Sequence, residues 1–312
     1  MTKTVAIIGA GMAGIAAGRQ LHANGWTPTL FDKSRGIGGR LATRRSDHWR
    51  FDHGCPHFIA TDDRFQALLD SLHHRRSLHI WTAGGSIEPP GMSGAARAAA
   101  GDLTVMGQAE VIAVEKTSCG WRIADRDGVI EAPGNGAFSA LVLALPSPQI
   151  MPILKTADIT IPALQNVVYA PCWTLMLGFE TAPDLARPMQ RFDHGPLEKI
   201  IDENGKPGRA GTVVVHAGAA WSRQNLERDK EDIAAEMLAL FQAASGLGTA
   251  PSYKSAHRWR YANVERSAAV PFIWDAAQSL GLAGDWANGP GVEAAFLSGH
   301  DLAAEMSAAA NL

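Results

Sequence analysis

Apolar positions fall along this chain in two rhythms. Short continuous runs bounded by glycine or proline predict buried strands at Val5 to Ile8, Pro28 to Phe31 and Leu141 to Leu145. Stretches in which apolar residues return every three or four positions predict helices at Met12 to about Asn24, Phe65 to Leu72, Asp229 to Ala244 and Val292 to about Met306. A break at Pro89-Pro90-Gly91-Met92-Ser93-Gly94 introduces an alanine-rich helix at Ala95 to Ala100. A strand then follows at Leu103 to Met106. Ala109 to Glu115, Gly120 to Ala124 and Gly128 to Ala132, separated by polar turns, predict an antiparallel meander. Pro146-Ser147-Pro148 closes this region, and a separate block follows with strands at Cys172 to Phe179 and Thr212 to Ala217. Gly281 to Asp285 predicts a short strand that returns the chain to its first half. The expected organisation is a discontinuous domain (1–75, 100–148 and 276–312) and an inserted substrate domain (76–99 and 149–275).

The first turn carries chemistry. Gly9-Ala10-Gly11-Met12-Ala13-Gly14 joins the first strand to the first helix, and Asp32 ends the second strand near the roughly 20-residue offset of a ribose-binding carboxylate. Glycine lets the backbone turn tightly and approach a pyrophosphate, which then meets unpaired N–H groups and the positive end of the helix dipole. With 32 glycines in the chain, a glycine pattern alone means little. Its place between a strand and a helix, with the acid following, points to a dinucleotide. A second glycine-rich element, Arg35-Gly36-Ile37-Gly38-Gly39-Arg40, favours FAD over NAD.

Composition changes the picture mainly by exclusion. The chain has 312 residues, 46% hydrophobic and 19% charged, which suits one large or two modest globular domains. A net charge of -3 without a basic stripe speaks against nucleic acid as a partner, and the pairs Arg44-Arg45 and Arg75-Arg76 are too isolated to alter that. No apolar run nears the ~18 residues of a membrane span, and no secretion signal is visible. Cys55, Cys119 and Cys172 are odd in number and widely spaced, which fits a reducing compartment, so a cytoplasmic protein is expected.

Together these pieces resemble the FAD-dependent amine oxidase superfamily. Within it the chain is similar to bacterial renalase-like proteins, through Phe31-Asp32-Lys33-Ser34-Arg35-Gly36 leading into Gly38-Gly39-Arg40, Phe51-Asp52-His53-Gly54, His257-Arg258-Trp259-Arg260-Tyr261-Ala262 and Leu282-Ala283-Gly284-Asp285-Trp286. The resemblance implies an α/β fold, a three-layer Rossmann-like FAD-binding domain with an inserted mixed-sheet substrate domain. It implies that Asp32 holds the adenosine ribose, that Arg40 contacts the FAD phosphates and that Val111 meets adenine through its backbone. Asp285 would bond the ribityl or pyrophosphate region, and the Gly291-Val292 turn would aim N–H groups at the flavin pyrimidine, where a reduced flavin carries negative charge. Gly9, Gly11, Met12, Ala13, Gly14, Lys33 and Gly39 complete the expected cofactor set. Two segments depart from the family pattern: Cys55-Pro56-His57-Phe58 stands where Ala-Gln-Tyr-Phe is usual, and Gly289-Pro290-Gly291 stands where Gly-Gly-Arg is usual.

The implied activity is hydride abstraction from a reduced nitrogen-containing small molecule, with isomeric dihydronicotinamide dinucleotides as donors and oxygen as acceptor, giving hydrogen peroxide. An oxidase of small amines, a desaturase and a non-catalytic flavin-binding redox module remain the alternatives. His57, Trp259, Tyr261 and Trp286 are the candidates for positioning substrate near the flavin. His57 reads equally as a satisfied buried histidine, Trp259 and Tyr261 as packing, and Trp286 as an aromatic without function. Arg260 pairs either with a substrate or cofactor phosphate or with a structural carboxylate. His53, Cys55 and His57 alternate as metal ligands would on a strand, but Gly54 and Pro56 disfavour a regular strand and no fourth ligand is evident, so no metal is expected. With no cysteine near the carboxyl end, FAD is expected to bind non-covalently. The chain has neither a GxSxG elbow nor an HExxH helix.

Overall fold

The strand Thr4–Ile8 is apolar at nearly every position because both of its faces are covered. It lies inside a six-stranded sheet ordered Ile273–Asp275, Leu280–Leu282, Ala140–Leu143, Thr4–Ile8, Thr27–Asp32, Thr104–Gly107. The computed structural model describes residues 3–74, 78–80, 85–87, 91–134 and 136–310; Arg75, Arg76, Pro89 and Pro90 lie outside the described residues. All pairings from Leu280–Leu282 to Thr104–Gly107 are parallel, and the edge strand Ile273–Asp275 runs antiparallel. On one face Val5, Ile7, Leu30 and Val142 pack with the helices Met12–Ala23, Met92–Ala100 and Val292–Ala309. On the other, Ala6, Ile8, Phe31, Leu141 and Leu143 pack with Val114, Trp121, Ile123 and Phe138 of the antiparallel meander Ala113–Thr117, Gly120–Ala124, Val129–Ile130 and its flank. This is the three-layer arrangement in which parallel strands, buried on both sides, read as continuous apolar runs.

A second sheet of five strands is ordered Met189–Arg191, Leu197–Asp202, Thr212–Ala217, Val168–Gly178, Tyr253–Arg266. Trp173, Leu175, Leu177, Val213 and Val215 face the helix Lys230–Ser245 and meet its Ile233, Met237 and Phe241. Asp229 caps that helix by accepting the Glu231 N–H at 2.8 Å. The opposite face, through Met176, Ile201 and Val214, shares a core with Trp49 and Phe51 of the hairpin Thr43–Ser46/Trp49–Asp52. The inserted sheet therefore backs directly onto the nucleotide half.

Several expectations are corrected. The inserted sheet is antiparallel at every pairing, not mixed, because the helical crossover from Thr212–Ala217 to Tyr253–Arg266 passes over Val168–Gly178, which pairs antiparallel with both. The helix Met92–Ala100, expected with the substrate domain, packs against Met12–Ala23 through its small alanine face. Ile273–Asp275, likewise expected there, joins the nucleotide sheet. The first meander strand begins at Ala113, since the start of the preceding loop is tied to the end of Thr27–Asp32 by Gln108 N–H to Ser34 O (3.0 Å) and Ala109 N–H to Asp32 O (2.9 Å). Among the described residues no helix is long and apolar enough to cross a membrane.

Candidate functional site

The glycine loop sits at the carboxyl end of Thr4–Ile8, where open parallel sheets bind ligands. A Cβ on Gly14 would lie 2.0 Å from the Gly9 carbonyl oxygen, so only glycine lets the helix start this close to the strand end. At Gly11 the opposite holds, since a Cβ there would meet no atom within 4 Å. Gly11 faces open space in front of the first-turn N–H groups of Met12 and Ala13, which an α-helix leaves without intrahelical partners. The second glycine element closes over this space: Gly38 N–H donates to Ala10 O at 2.8 Å, and a Cβ on Gly39 would lie 3.7 Å from Gly11 Cα. Asp32 clasps the two loops, accepting the Ala10 N–H at 3.0 Å and the Ser34 N–H at 2.8 Å. Each oxygen retains capacity for a further donor such as a ribose hydroxyl. A pyrophosphate and its ribose fit this cradle. Lys33 beside it is exposed, and Val111 is buried in the loop that follows Ala109.

Arg40 and Asp285, far apart in sequence, form a bidentate pair: Nη1 to Oδ2 at 2.6 Å and Nη2 to Oδ1 at 2.8 Å. Asp285 is buried, and the Tyr169 hydroxyl also donates to it at 3.3 Å. Burial first, then the Asp285 carboxylate, raises the Tyr169 pKa and keeps the phenol protonated. The ring of Tyr261 packs edge-on against Tyr169, with centroids 5.7 Å apart. Arg40 Nη1 also donates to Ala262 O at 2.9 Å, and Trp259 Nε1 donates to His53 O at 3.0 Å. The segment His257–Ala262 thus grips Arg40 and the His53 loop from the edge strand Tyr253–Arg266. Arg260 resolves as a structural partner, forming two hydrogen bonds to the Glu227 carboxylate at 2.7 and 3.1 Å.

A cavity of about 480 Å³ opens beside the start of the helix Val292–Ala309 and brings together Cys55, His57, Gly291, Val292, Pro271 and Asn288. Its charges are internally matched. Glu293 accepts from Thr61 N–H (2.6 Å), Thr61 Oγ1 (2.5 Å) and Asp62 N–H (2.8 Å), while Arg64 pairs with Asp62 and Asp301. Burial, reinforced by the charges of Lys206, Arg191 and Lys199, pulls the His57 pKa down to about 4. Burial pushes the Cys55 thiol up, and its Sγ donates to His57 O at 2.9 Å. His53 and His257, behind the cavity, are lowered to about 3 and about 4, chiefly by burial. Among the described residues no group of three or more His, Cys, Asp or Glu gathers as a metal site.

Beneath His57 lies a feature the sequence did not announce. Asp52, Glu203, Lys206 and Arg209, each at most 4% exposed, form a closed network of ion pairs: Lys206 to Asp52 (3.1 Å) and Glu203 (2.7 Å), Arg209 to Asp52 (2.9 Å) and Glu203 (2.8 Å). Lys206 Nζ also donates to Pro56 O at 2.8 Å, next to His57. Asp52 accepts from Thr43 Oγ1 (2.7 Å) and from the Met92 N–H (3.0 Å) at the start of its helix. One knot therefore joins the hairpin, the inserted sheet and the helix Met92–Ala100. The only sequence trace is Glu203, Lys206 and Arg209 at every third position within a glycine- and proline-containing turn.

Of the residues expected at the flavin, His57, Gly291 and Val292 share the cavity, and Tyr261 lies beside the Arg40–Asp285 pair through Tyr169. Trp286 does not line the cavity that holds His57. It is fully buried between the sheet and the meander, its Nε1 donating to Leu145 O at 3.1 Å. Its position is set by core packing, which corrects the positioning role expected for it. Tyr169 and Glu293 carried no motif and were missed.

Residues 7–72 match the family model of the NAD(P)-binding Rossmann-like domain. Over 66 residues the chain is 35% identical to the 4,4'-diapophytoene desaturase (4,4'-diaponeurosporene-forming) of Staphylococcus haemolyticus, covering 21% of this chain and 13% of that protein. The enzyme of the same name from Staphylococcus aureus (strain Newman) is 38% identical over 65 residues, with the same coverage. The match thus spans about an eighth of these relatives' length. Among solved structures, one assigned as a protoporphyrinogen oxidase from Exiguobacterium sp. 255-15 superposes with a TM-score of 0.72 at 12% identity, covering 99% of both chains. Wild-type putrescine oxidase bound to putrescine superposes with a TM-score of 0.66 at 14% identity, also over 99% of each chain. Identity this low speaks for the fold alone. The chain shares its overall fold with these two oxidase structures, and its residues 7–72 form an NAD(P)-binding Rossmann-like unit.

Proposed function

We propose that the chain is an FAD-dependent oxidoreductase that takes hydride from a reduced nitrogen-containing ring, with isomeric dihydronicotinamide dinucleotides as the donor class. The observation that carries this reading is the convergence of two glycine loops and Asp32 on one helix N-terminus, beside the Arg40–Asp285 pair. In it, residues 1–75, 92–148 and 273–312 serve the cofactor and residues 149–272 the substrate. Gly9, Gly11, Met12, Ala13, Gly14 and Gly39 bind the pyrophosphate, with Lys33 flanking it. Asp32 binds the ribose, Val111 meets the adenine through its backbone, and Arg40 and Asp285 bind the phosphate and ribityl region. The N–H groups at Gly291 and Val292 take charge on the flavin pyrimidine. FAD, when bound, supplies the hydride acceptor, and its reoxidation by oxygen gives hydrogen peroxide. The cytoplasm, with its reduced thiols, is the compartment this reading expects.

The cavity suits a donor that loses hydride without losing a proton. His57 and Cys55 are both held neutral near pH 7, and the Glu293 and Asp301 carboxylates are occupied by neighbouring donors. A dihydropyridine needs no base, because its ring nitrogen lone pair expels the hydride as aromaticity is gained. His57 then contributes shape, Trp259 positions the loop that carries His53, and Tyr261 packs on Tyr169 beside Asp285.

The test is anaerobic mixing of the purified protein with isomeric dihydronicotinamides and with small amines, following bleaching of the flavin band across mildly acidic to mildly alkaline pH. Dihydronicotinamides should bleach the band at a rate nearly independent of pH, and His57→Ala should lose less than the roughly 10²-fold that marks an acid–base catalyst. A rate that appears only with amines and climbs steeply with pH would replace this reading with an amine oxidase. A band bleached by no donor would leave a flavin-binding module.

A further inference from the structure

The wall formed by His57, Phe58 and Ile59 has a second side. Behind it lies another cavity, about 790 Å³, whose lining includes His57, Gln66, Gly85, Arg187, Met189 and Arg191. Met189 and Arg191 lie two apart on the strand Met189–Arg191 and so share a face, Arg187 comes from the bend just before it, and all three line the cavity. Among the described residues the strand Met189–Arg191 is the edge of its sheet, paired with Leu197–Asp202, and Pro188 O accepts the Asp202 N–H at 2.9 Å, which ties down the segment that carries both arginines.

The two cavities differ in charge. The first holds Arg64 matched by Asp62 and Asp301, and Glu293 matched by backbone donors. The second has two guanidiniums and no carboxylate in its described lining, and neither arginine forms an ion pair among the described residues. Arg191 is close enough to His57 to disfavour its protonation, so positive potential reaches the shared wall. Paired planar guanidiniums at an open cavity of this size match a ligand with two adjacent anionic groups. We infer that this second cavity is a substrate subsite for a pyrophosphate, held by Arg187 and Arg191, with the reacting ring of the same molecule reaching past His57 into the first cavity. The inference rests on the donor class proposed above and adds to it the part of the donor that the enzyme grips.

Calorimetric titration of the purified protein, with its cofactor bound, tests the subsite without any turnover. Inorganic pyrophosphate and ADP-ribose are the probes, at low and at moderate salt, against wild type, Arg187→Ala, Arg191→Ala, the double variant and a distant control, Arg228→Ala. Wild type and the control should bind one equivalent, more weakly as salt rises, and each single variant should weaken binding at least about tenfold. Heat signals equal in wild type and in the double variant, or no binding by wild type, would overturn the subsite. Circular dichroism and retained flavin colour verify that the variants are folded. In parallel, flavin reduction by an isomeric dihydronicotinamide dinucleotide is compared with reduction by an N-methyl dihydronicotinamide isomer that lacks phosphate. The wild-type preference for the dinucleotide should vanish in the double variant, and a preference that survives would contradict the subsite. If neither donor reduces wild type, the donor reading fails, while the titration still decides whether the arginines bind anions.

Discussion

The two ends of the candidate site are built from different materials. At the glycine loops the working groups are backbone N–H donors, and what matters is space: Gly14 removes an atom that would collide, and Gly11 leaves room where a ligand would lie. At His57 the working groups are side chains on a loop, held from below by four buried charges that meet from two distant parts of the chain. A site made of backbone is sensitive to added volume and tolerant of most else. A site made of propped side chains fails when its props fail, so damage there should register as lost stability before it registers as altered binding.

The largest effect should follow from breaking the buried network. Lys206→Met leaves Asp52 and Glu203 sharing one cation inside the protein, and removal of one partner of a buried ion pair typically costs about 3–5 kcal/mol. Chemical denaturation should show a loss of that order, and a loss below about 1 kcal/mol would show that the network does not hold the His57 end together. Next comes Gly14→Ala, whose new Cβ must displace the Gly9 carbonyl. Overpacking of this kind costs roughly 1–3 kcal/mol, and flavin retention should fall with it. Gly11→Ala sharpens the contrast, since with no atom within 4 Å of the new Cβ it should change stability by less than about 0.5 kcal/mol. It should nonetheless lower cofactor affinity. Equal stability losses at Gly11 and Gly14 would contradict the distinction between space for packing and space for a ligand.

A subtler difference lies in pH dependence. The folded-state pKa values of His53, His57 and His257 are depressed to about 3, 4 and 4 from an ordinary 6.5. As pH falls through 6.5 the unfolded chain takes up protons that the folded protein refuses, so their contribution is complete above 6.5 and is lost on the way down to about 4. The denaturant midpoint should therefore decline over that window, before the Asp52 carboxylate, itself held below its usual range, begins to titrate. His53→Gln should flatten the decline. An unchanged slope in that variant would mean that His53 is not buried as a neutral ring.

These regions also differed in how far the sequence revealed them. The glycine loops, Asp32 and the flanking strand and helix were legible because a backbone-built site demands glycine at fixed spacing and an apolar run on each side. The long strand Tyr253–Arg266 was not, since it lies at a sheet edge with only Ala256 and Val264 buried, and its charged residues leave no period-two signal. The hairpin Thr43–Ser46/Trp49–Asp52 is short and rich in arginine, and its place is fixed by contacts with distant residues. Arg40 and Asp285 could be named individually, but their pairing is a fact of topology. The buried network was invisible for a related reason: Lys206 and Arg209 in a polar loop read as solvated charge until the hairpin carrying Asp52 is folded over them. Trp286 misled because its neighbour Asp285 turns toward Arg40 while its own ring turns the other way, into the core.

The central claim is that the cradle of Gly11, Asp32 and Arg40 holds FAD without a covalent bond. Acid precipitation of the purified protein tests it most directly, with the supernatant and the pellet each examined by absorbance and chromatography. The account predicts a yellow protein that releases intact FAD into the supernatant in roughly one equivalent per chain and leaves a colourless pellet. A pellet that keeps its colour would contradict non-covalent binding, and a colourless protein that yields NAD would contradict the flavin assignment itself.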